Sequence, residues 1–415
     1  MSVIKPKLFL SALGIINALG NGKDEVLRNL QAGSQAGIVT RSDMLVGGDC
    51  ECIVGAVDAK LPSIDKRLAV FDCRNNRLLL AAYQQIASDV QQLIQQFGKD
   101  RIAVILGSST SGISDGEHAL KVRLESGVFP SRYHYKQQEM GSSSEFLAQY
   151  LGLTNLAFTV STACSSSAKA FASARHFIEA GICDAALVGG ADTLCRLTLN
   201  GFTALESVSA SICNPFSRNR DGITIGEGAA LFIVTKEKSA IELCGIGESS
   251  DAYHISAPHP EGAGAQAAMQ MALMDAGLKP DQISYVNLHG TATVKNDQME
   301  SIAMQAVFPD GVACSSTKPL IGHTLGAAGA TEIGLCWLAL SDLNDKGLLP
   351  PHLWDGVLDT GIPQLALVKL GEHLLYVKGG CYLMSNSFAF GGSNLSVVIG
   401  RNPKAEALDS KITQS

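Results

Sequence analysis

No two of the eleven cysteines form a CxxC pair, and their number is odd. That pattern argues against a secreted disulfide scaffold or a zinc ribbon, and free thiols in a reducing cytoplasm fit best. Basic charge is in short supply: 32 Lys+Arg stand against 39 Asp+Glu, a net charge of −7. A globally basic nucleic-acid binder is excluded, although a local basic patch for an acidic partner is not. No uninterrupted apolar run of 18 residues occurs, so no membrane insertion is expected. The 13 prolines follow no G-X-Y period, which removes a collagen-like chain.

What is present is core-forming material. The chain is 46% hydrophobic and only 17% charged, the balance of a folded protein rather than a disordered one. Its 415 residues suffice for one large domain or two to three ordinary ones. Lys5 and Lys7 before the apolar stretch 8–20 imitate a signal peptide. No A-x-A cleavage site follows, so a buried first strand at 8–13 is expected instead.

Short apolar runs alternate with helical stretches. Strands are expected at 101–107, 158–163 and 184–190, with a helix at 165–180. Later come a helix at 264–276, closed by Gly277, a strand at 283–289, a helix after Asp297 and a short strand ending at Ser315. A small-residue helix at 325–343 and strands at 380–385 and 395–400 complete the pattern. The rhythm implies a mostly parallel sheet covered on both faces, with one motif repeated before and after about residue 250. Residues 249–264 read as a loop between the halves, and 401–415 as a polar, frayed tail.

The sharpest chemical signal is Ser161-Thr162-Ala163-Cys164-Ser165-Ser166-Ser167, where a strand hands over to a helix. A thiol there meets unsatisfied N–H groups and the helix dipole, which favour the nucleophilic thiolate. His289 and His323 occupy similar strand-end turns flanked by Gly, Ser and Thr. In open α/β sheets such turns gather where sites form. Cys plus two His is also a zinc set, but the short pairwise spacing and a nameable further ligand are missing, so no metal is expected.

Five motifs in order resemble the β-ketoacyl-acyl carrier protein synthases, condensing enzymes of the thiolase-like superfamily. They are Thr162–Ser167; Asn214-Pro215-Phe216 with Arg220-Asp221-Gly222 and Gly226-Glu227-Gly228-Ala229; His289-Gly290-Thr291-Ala292-Thr293 with Asn296, Asp297 and Glu300; Thr317-Lys318, Gly322-His323 and Gly326-Ala327-Ala328-Gly329; and the run 386–394, NSFAFGGSN. The resemblance spans about Leu8 to Gly400. It implies a single thiolase-like domain over 1–400, an α/β fold whose duplicated βαβαβαββ halves (about 1–250 and 251–400) form an αβαβα five-layer sandwich.

The resemblance further implies decarboxylative condensation. Cys164 would take an acyl group from a carrier-protein phosphopantetheine thioester. His289 and His323 would stabilise the enolate left when a malonyl thioester loses CO₂. Backbone N–H groups of Cys164 and Phe390 would form an oxyanion hole, with Phe390 also a gate. Lys318 and Glu300 would support the histidines, and Thr291 and Thr293 would bind the pantetheine arm. No cofactor is expected beyond the phosphopantetheine that the acyl carrier protein brings. Lys66, Arg67, Arg74 and Arg77 form the candidate carrier-docking patch. The Glu227 block and the run 326–329 read as close-packing elements. Partners are the acyl carrier protein and a homodimer mate or a homologous chain-length-factor-like subunit.

Departures from the family pattern are Asn214 for Arg, Lys169 for His, Ala389 for Gly and the opening 11–20. They suggest a specialised enzyme, an aryl-polyene or other secondary-metabolite ketosynthase. Two alternatives stay open: a thiolase-like or initiating acyl-CoA condensing enzyme, and a non-catalytic chain-length-factor-like subunit.

Overall fold

The computed structural model describes residues 6–47, 50–375 and 380–401. Ten strands carry the architecture: β1 Leu8–Asn17, β2 Ile102–Gly107, β3 Ala157–Val160, β4 Ala185–Asp192, β5 Gly228–Thr235, β6 Glu242–Ser250, β7 Ile283–Asn287, β8 Ala313–Ser315, β9 Cys381–Phe388 and β10 Ser393–Arg401. The first five lie in the order β3-β2-β4-β5-β1 and the second five in the order β8-β7-β9-β10-β6, the same 3-2-4-5-1 arrangement twice. An antiparallel pairing of Leu8 with Leu243 and Phe9 with Glu242 joins the two into one sheet.

The sheet is mixed, not mostly parallel as the sequence rhythm suggests. In each half three strands run parallel (β2 with β3 and β4; β7 with β8 and β9), and two antiparallel strands follow. The alternation of strand and helix reveals the parallel part. The antiparallel strands need no intervening helix, and the four residues between β9 and β10 make a simple hairpin.

Helices Ser166–Glu179 and Ala328–Leu340 fill the layer between the two halves of the sheet. Their small residues allow this: a Cβ on Gly329 would lie 2.6 Å from the Ala168 Cβ, so a larger side chain there would push the two helices apart. Helices Arg74–Gln84 and Ser142–Leu151 cover the outer face of the first half. Ala263–Ala276 and Val294–Val307 cover that of the second. Five layers result, each helix burying its apolar stripe against a sheet, at ~1.5–3 kcal/mol per large side chain buried.

Some boundaries differ from expectation. The first strand runs on to Asn17, and the helix expected after Asp297 begins at Val294. The stretch 325–343 divides into a 3₁₀ turn, Leu325–Ala327, which opens on a left-handed φ of 51° at Leu325, and the helix Ala328–Leu340. Of the expected tail, 402–415 lie outside the described residues.

Candidate active site

Cys164 sits between the end of β3 and its helix. Ala163 turns the chain with a φ of 51°, and the turn is tied by Thr162 N donating to Ser166 Oγ (2.8 Å) and Ser166 Oγ donating to Ala163 O (2.5 Å). A small side chain suits the strained position before the cysteine. Cys164 as a whole is 6% exposed.

His289 follows β7 by two residues. The turn after it needs Gly290, whose φ is 37° and whose Cβ would lie 2.5 Å from the Ser316 Cβ. Glu300, from the helix Val294–Val307, accepts from His289 N (2.8 Å) and Gly290 N (2.7 Å). Lys318 Nζ donates to the His289 carbonyl and to Glu332 Oε1, the latter at 2.5 Å. His323 is held by its backbone, N donating to Thr224 O at 2.6 Å and O accepting from Gly226 N at 2.9 Å.

These three turns converge. His323 Nε2 lies 3.0 Å from Cys164 Sγ, and the two imidazole rings meet edge-on with centroids 5.4 Å apart. They face a cavity of about 10 Å³, room for one water, lined also by Phe202, Thr291, Thr293 and Phe390. Thr291 and Thr293 hydroxyls are 3.0 Å apart, and the Phe390 ring packs 5.8 Å from that of Phe202. The chamber is closed over the thiol, so an acyl chain requires side chains to move.

Electrostatics correct one expectation. The turn position alone suggests an easily ionised thiol, but burial pushes Cys164 up to about 11, against the opposing pull of Lys318 and of the Phe390 and Cys164 N–H groups. Desolvation of the charged form outweighs the local donors. Burial, then the Lys318 charge, holds His323 well below the ordinary histidine range. His289 is lowered by burial, Lys318 and His323 in turn. Both are neutral imidazoles at pH 7, beside a neutral thiol. Burial raises Glu300 to about 7 despite the N–H groups of Gly290 and His289. Nδ1 of both histidines is buried without a hydrogen-bond partner among the described residues, so each ring keeps capacity the protein does not use.

The donor atoms of Cys164, His289 and His323 lie within 4.8 Å of one another, close enough to hold a soft metal ion. Burial, which chiefly keeps both imidazoles neutral, and the Lys318 charge behind it also oppose a cation there, so the site fits proton and enolate chemistry better than a metal.

Two carboxylates were missed in the sequence. Glu332 is fully buried in the otherwise apolar helix Ala328–Leu340 and pairs with Lys318. A lone charge in such a helix was the available signal. Asp192, also buried, accepts from Ser108 Oγ, Ser109 N, Thr110 N, Thr110 Oγ1 and Ala327 N at 2.7–2.9 Å, tying the end of β4 to the turn beyond His323.

The expected docking patch looks different in three dimensions. Arg74 is half-buried and paired at 2.5 Å with the buried carboxylate of Glu227, so part of its charge is already compensated. Arg67 pairs with Asp65 and Arg77 with Asp72, while Lys66 is exposed. None of the four lines the Cys164 cavity. Two of the departures have local partners: Lys169 binds Glu248 (2.8 Å), and Asn214 Oδ1 accepts from Asp355 N (3.0 Å). Ala389 sits outside the left-handed region, where Gly391 and Gly392 supply the turn, so alanine adds no backbone strain.

Residues 11–240 match the family described as Beta-ketoacyl synthase, N-terminal domain, and 240–353 its C-terminal domain. The chain is 30% identical over 420 residues to the 3-oxoacyl-[acyl-carrier-protein] synthase 2 of Synechocystis, covering 95% of this chain and 97% of that one. It is 31% identical over 405 residues to Nodulation protein E of Rhizobium leguminosarum bv. trifolii, covering 94% and 97%. Among solved structures, the ketosynthase ApeO in complex with its chain length factor ApeC, from Xenorhabdus doucetiae, matches with a TM-score of 0.90 at 48% identity, over 95% of this chain and 98% of that one. The ishigamide ketosynthase/chain length factor matches with a TM-score of 0.82 at 26% identity, over 96% and 100%. No helix among the described residues is long and apolar enough to cross a membrane.

Proposed function

Because this chain belongs to the β-ketoacyl synthase family, we propose that it is an active condensing subunit with Cys164 as nucleophile and His289 and His323 as the decarboxylating pair. One observation carries the reading: the 3.0 Å approach of His323 Nε2 to Cys164 Sγ, with the His289 ring beside them.

In the first half-reaction the Cys164 proton passes to His323 as sulfur attacks the acyl thioester carbonyl. The carrier thiolate leaves and takes that proton, so His323 ends neutral. The N–H groups of Cys164 and Phe390 hold the oxyanion between these events. In the second, the malonyl C–C bond breaks, CO₂ departs, and the electron pair becomes an enolate whose oxygen accepts from N–H groups of His289 and His323. Only neutral imidazoles hold such a charge without protonating outright, which is what burial beside Lys318 secures. The enolate carbon attacks the acyl-Cys164 carbonyl, the C–S bond breaks, a 3-oxoacyl thioester two carbons longer is released, and the Cys164 thiolate left behind takes up one proton from solvent to restore the neutral thiol. Lys318 and Glu300 act by fixing the His289 turn, and Thr291 and Thr293 by holding the arm of the substrate.

The arm is the phosphopantetheine of an acyl carrier protein, with Lys66, Arg67 and Arg77 its proposed docking residues. The 48% identity to a ketosynthase solved with its chain length factor supports pairing with a homologous subunit, while the departures at Lys169, Asn214 and Ala389 and the unpaired cysteines are what favour a specialised, aryl-polyene-like pathway in the cytoplasm. We read residues 1–400 as one domain of two similar halves.

Intact-mass analysis after incubation with acyl-carrier thioester tests the nucleophile: wild type gains one acyl mass and Cys164→Ala gains none. An adduct on the variant overturns the assignment. Wild type that fails to release CO₂ from malonyl-carrier thioester points instead to the acyl-CoA condensing reading.

A further inference from the structure

A second cavity, of about 270 Å³, adjoins the closed catalytic chamber, with Thr293, Asn296, Phe388 and Phe390 lining both, so movement of these side chains would join the two. Anything that reaches Cys164 by this route passes its rim. The rim has one basic side chain, Lys295, beside the hydroxyls of Ser207 and Ser256. Lys295 is exposed and forms no ion pair or hydrogen bond among the described residues. By contrast, other cations near the site are engaged: Lys318 by Glu332, Arg220 by Asp359 and Lys169 by Glu248. Two acids also line the rim. Asp221 is occupied, accepting from Ser209 Oγ at 2.5 Å and Ala210 N at 3.2 Å, whereas Glu206 is exposed.

We propose that Lys295 is a specificity residue that grips the phosphate at the outer end of the pantetheine arm when the thioester end lies at Cys164. The inference rests on the condensing-enzyme reading. The arm is neutral along its two amides and carries its charge at the phosphate alone, so a single uncommitted cation at the mouth of a narrow route discriminates by that group. Lys295 follows Thr293 by two residues, so the residues facing the arm and the cation facing its end are set by one turn of chain. The competing rim charge, Glu206, acts in the opposite sense.

The experiment compares acyl transfer to Cys164 from three thioesters of one acyl group: on pantetheine, on 4′-phosphopantetheine and on the carrier protein. Intact mass over time gives the efficiency for each, with the chain prepared alone or with its co-expressed partner. In wild type the phosphopantetheine thioester outperforms the pantetheine one. Lys295→Ala lowers that ratio about fivefold, the size expected of one charge pair in a partly solvated mouth. Lys295→Arg retains the ratio and Glu206→Gln raises it. An unchanged ratio with Lys295→Ala overturns the proposal, and so does an equal loss on both small thioesters, which marks general disturbance of the route. A loss confined to the carrier-bound thioester also overturns it, since Lys295 then reads the carrier surface. If wild-type Cys164 is acylated by none of the three, the condensing reading fails and not this assignment alone.

Discussion

The Cys164 sulfur stands between opposed influences: a strand-to-helix turn with N–H groups that favour a thiolate, and a dry chamber that disfavours any charge. Burial prevails, and the thiol titrates at about 11. Alkylation of Cys164 by iodoacetamide, followed by mass, should therefore still accelerate from pH 7 through pH 9, close to tenfold per unit, since the thiolate is a minor species throughout. A plateau near pH 7 would show a preformed thiolate–imidazolium pair and refute the neutral ground state. Both imidazoles, held below their ordinary range, should stay neutral as pH falls from 7.5 to 6.0, so malonyl decarboxylation should lose little to histidine protonation in that interval. Glu300, raised to about 7 behind the His289 turn, titrates in the same interval, so a midpoint near 6.5 that persists in Glu300→Gln would contradict this. The residues themselves were legible because strand-end turns rich in Gly and Ser are written locally. Their charge states were not, since desolvation is set by side chains remote in sequence, such as Phe202 and Phe388 around the chamber.

Among the elements, the buried pair of Lys318 and Glu332 links the His289 turn to the central helix Ala328–Leu340. Removing one member leaves an uncompensated charge in the interior. Lys318→Met should lower stability by ~3–5 kcal/mol, and adding Glu332→Leu should restore most of it. Chemical denaturation checks this, and the double variant separates the two roles of Lys318. If it regains stability yet decarboxylates malonyl thioester at least tenfold more slowly than wild type, the ammonium acts on the chemistry and not on folding alone. Full recovery of rate would assign Lys318 to folding only. The Gly322 and Gly326–Gly329 turns were readable as close packing, and the structure gives the reason. A Cβ at Gly322 would lie 2.7 Å from the Gly226 Cα, and one at Gly326 2.7 Å from the Ser108 carbonyl carbon. The Lys318–Glu332 partnership escaped notice because its members are 14 residues apart on separate elements, beyond any local pattern.

At the scale of the whole molecule, a net charge of −7 repels an acidic carrier unless the docking face is locally basic. With Lys66 exposed and Lys295 at the mouth, attraction should prevail: kcat/KM for carrier-bound substrate should fall several-fold from 50 to 500 mM salt, while that for the pantetheine thioester holds steady. A rise with salt would place the carrier on an acidic face. The repeated strand–helix rhythm suggests two halves meeting near residue 250 with 249–264 between them, whereas β6 (Glu242–Ser250) pairs with β10 in the second set and the junction falls between Thr235 and Glu242. The shared order of their strands came only from pairings between residues far apart, such as Leu8 with Leu243. The mixed character of the sheet was hidden for the same reason.

The nucleophile belongs to one half of that sheet and both imidazoles to the other, with the two central helices between them. Cleaving the backbone in the loop 251–262 would thus yield a fragment owning a sulfur but no base and another owning bases but nothing to acylate. Turnover would return only on reassembly of the pair, which makes condensation itself a reporter of whether the two pieces have found each other.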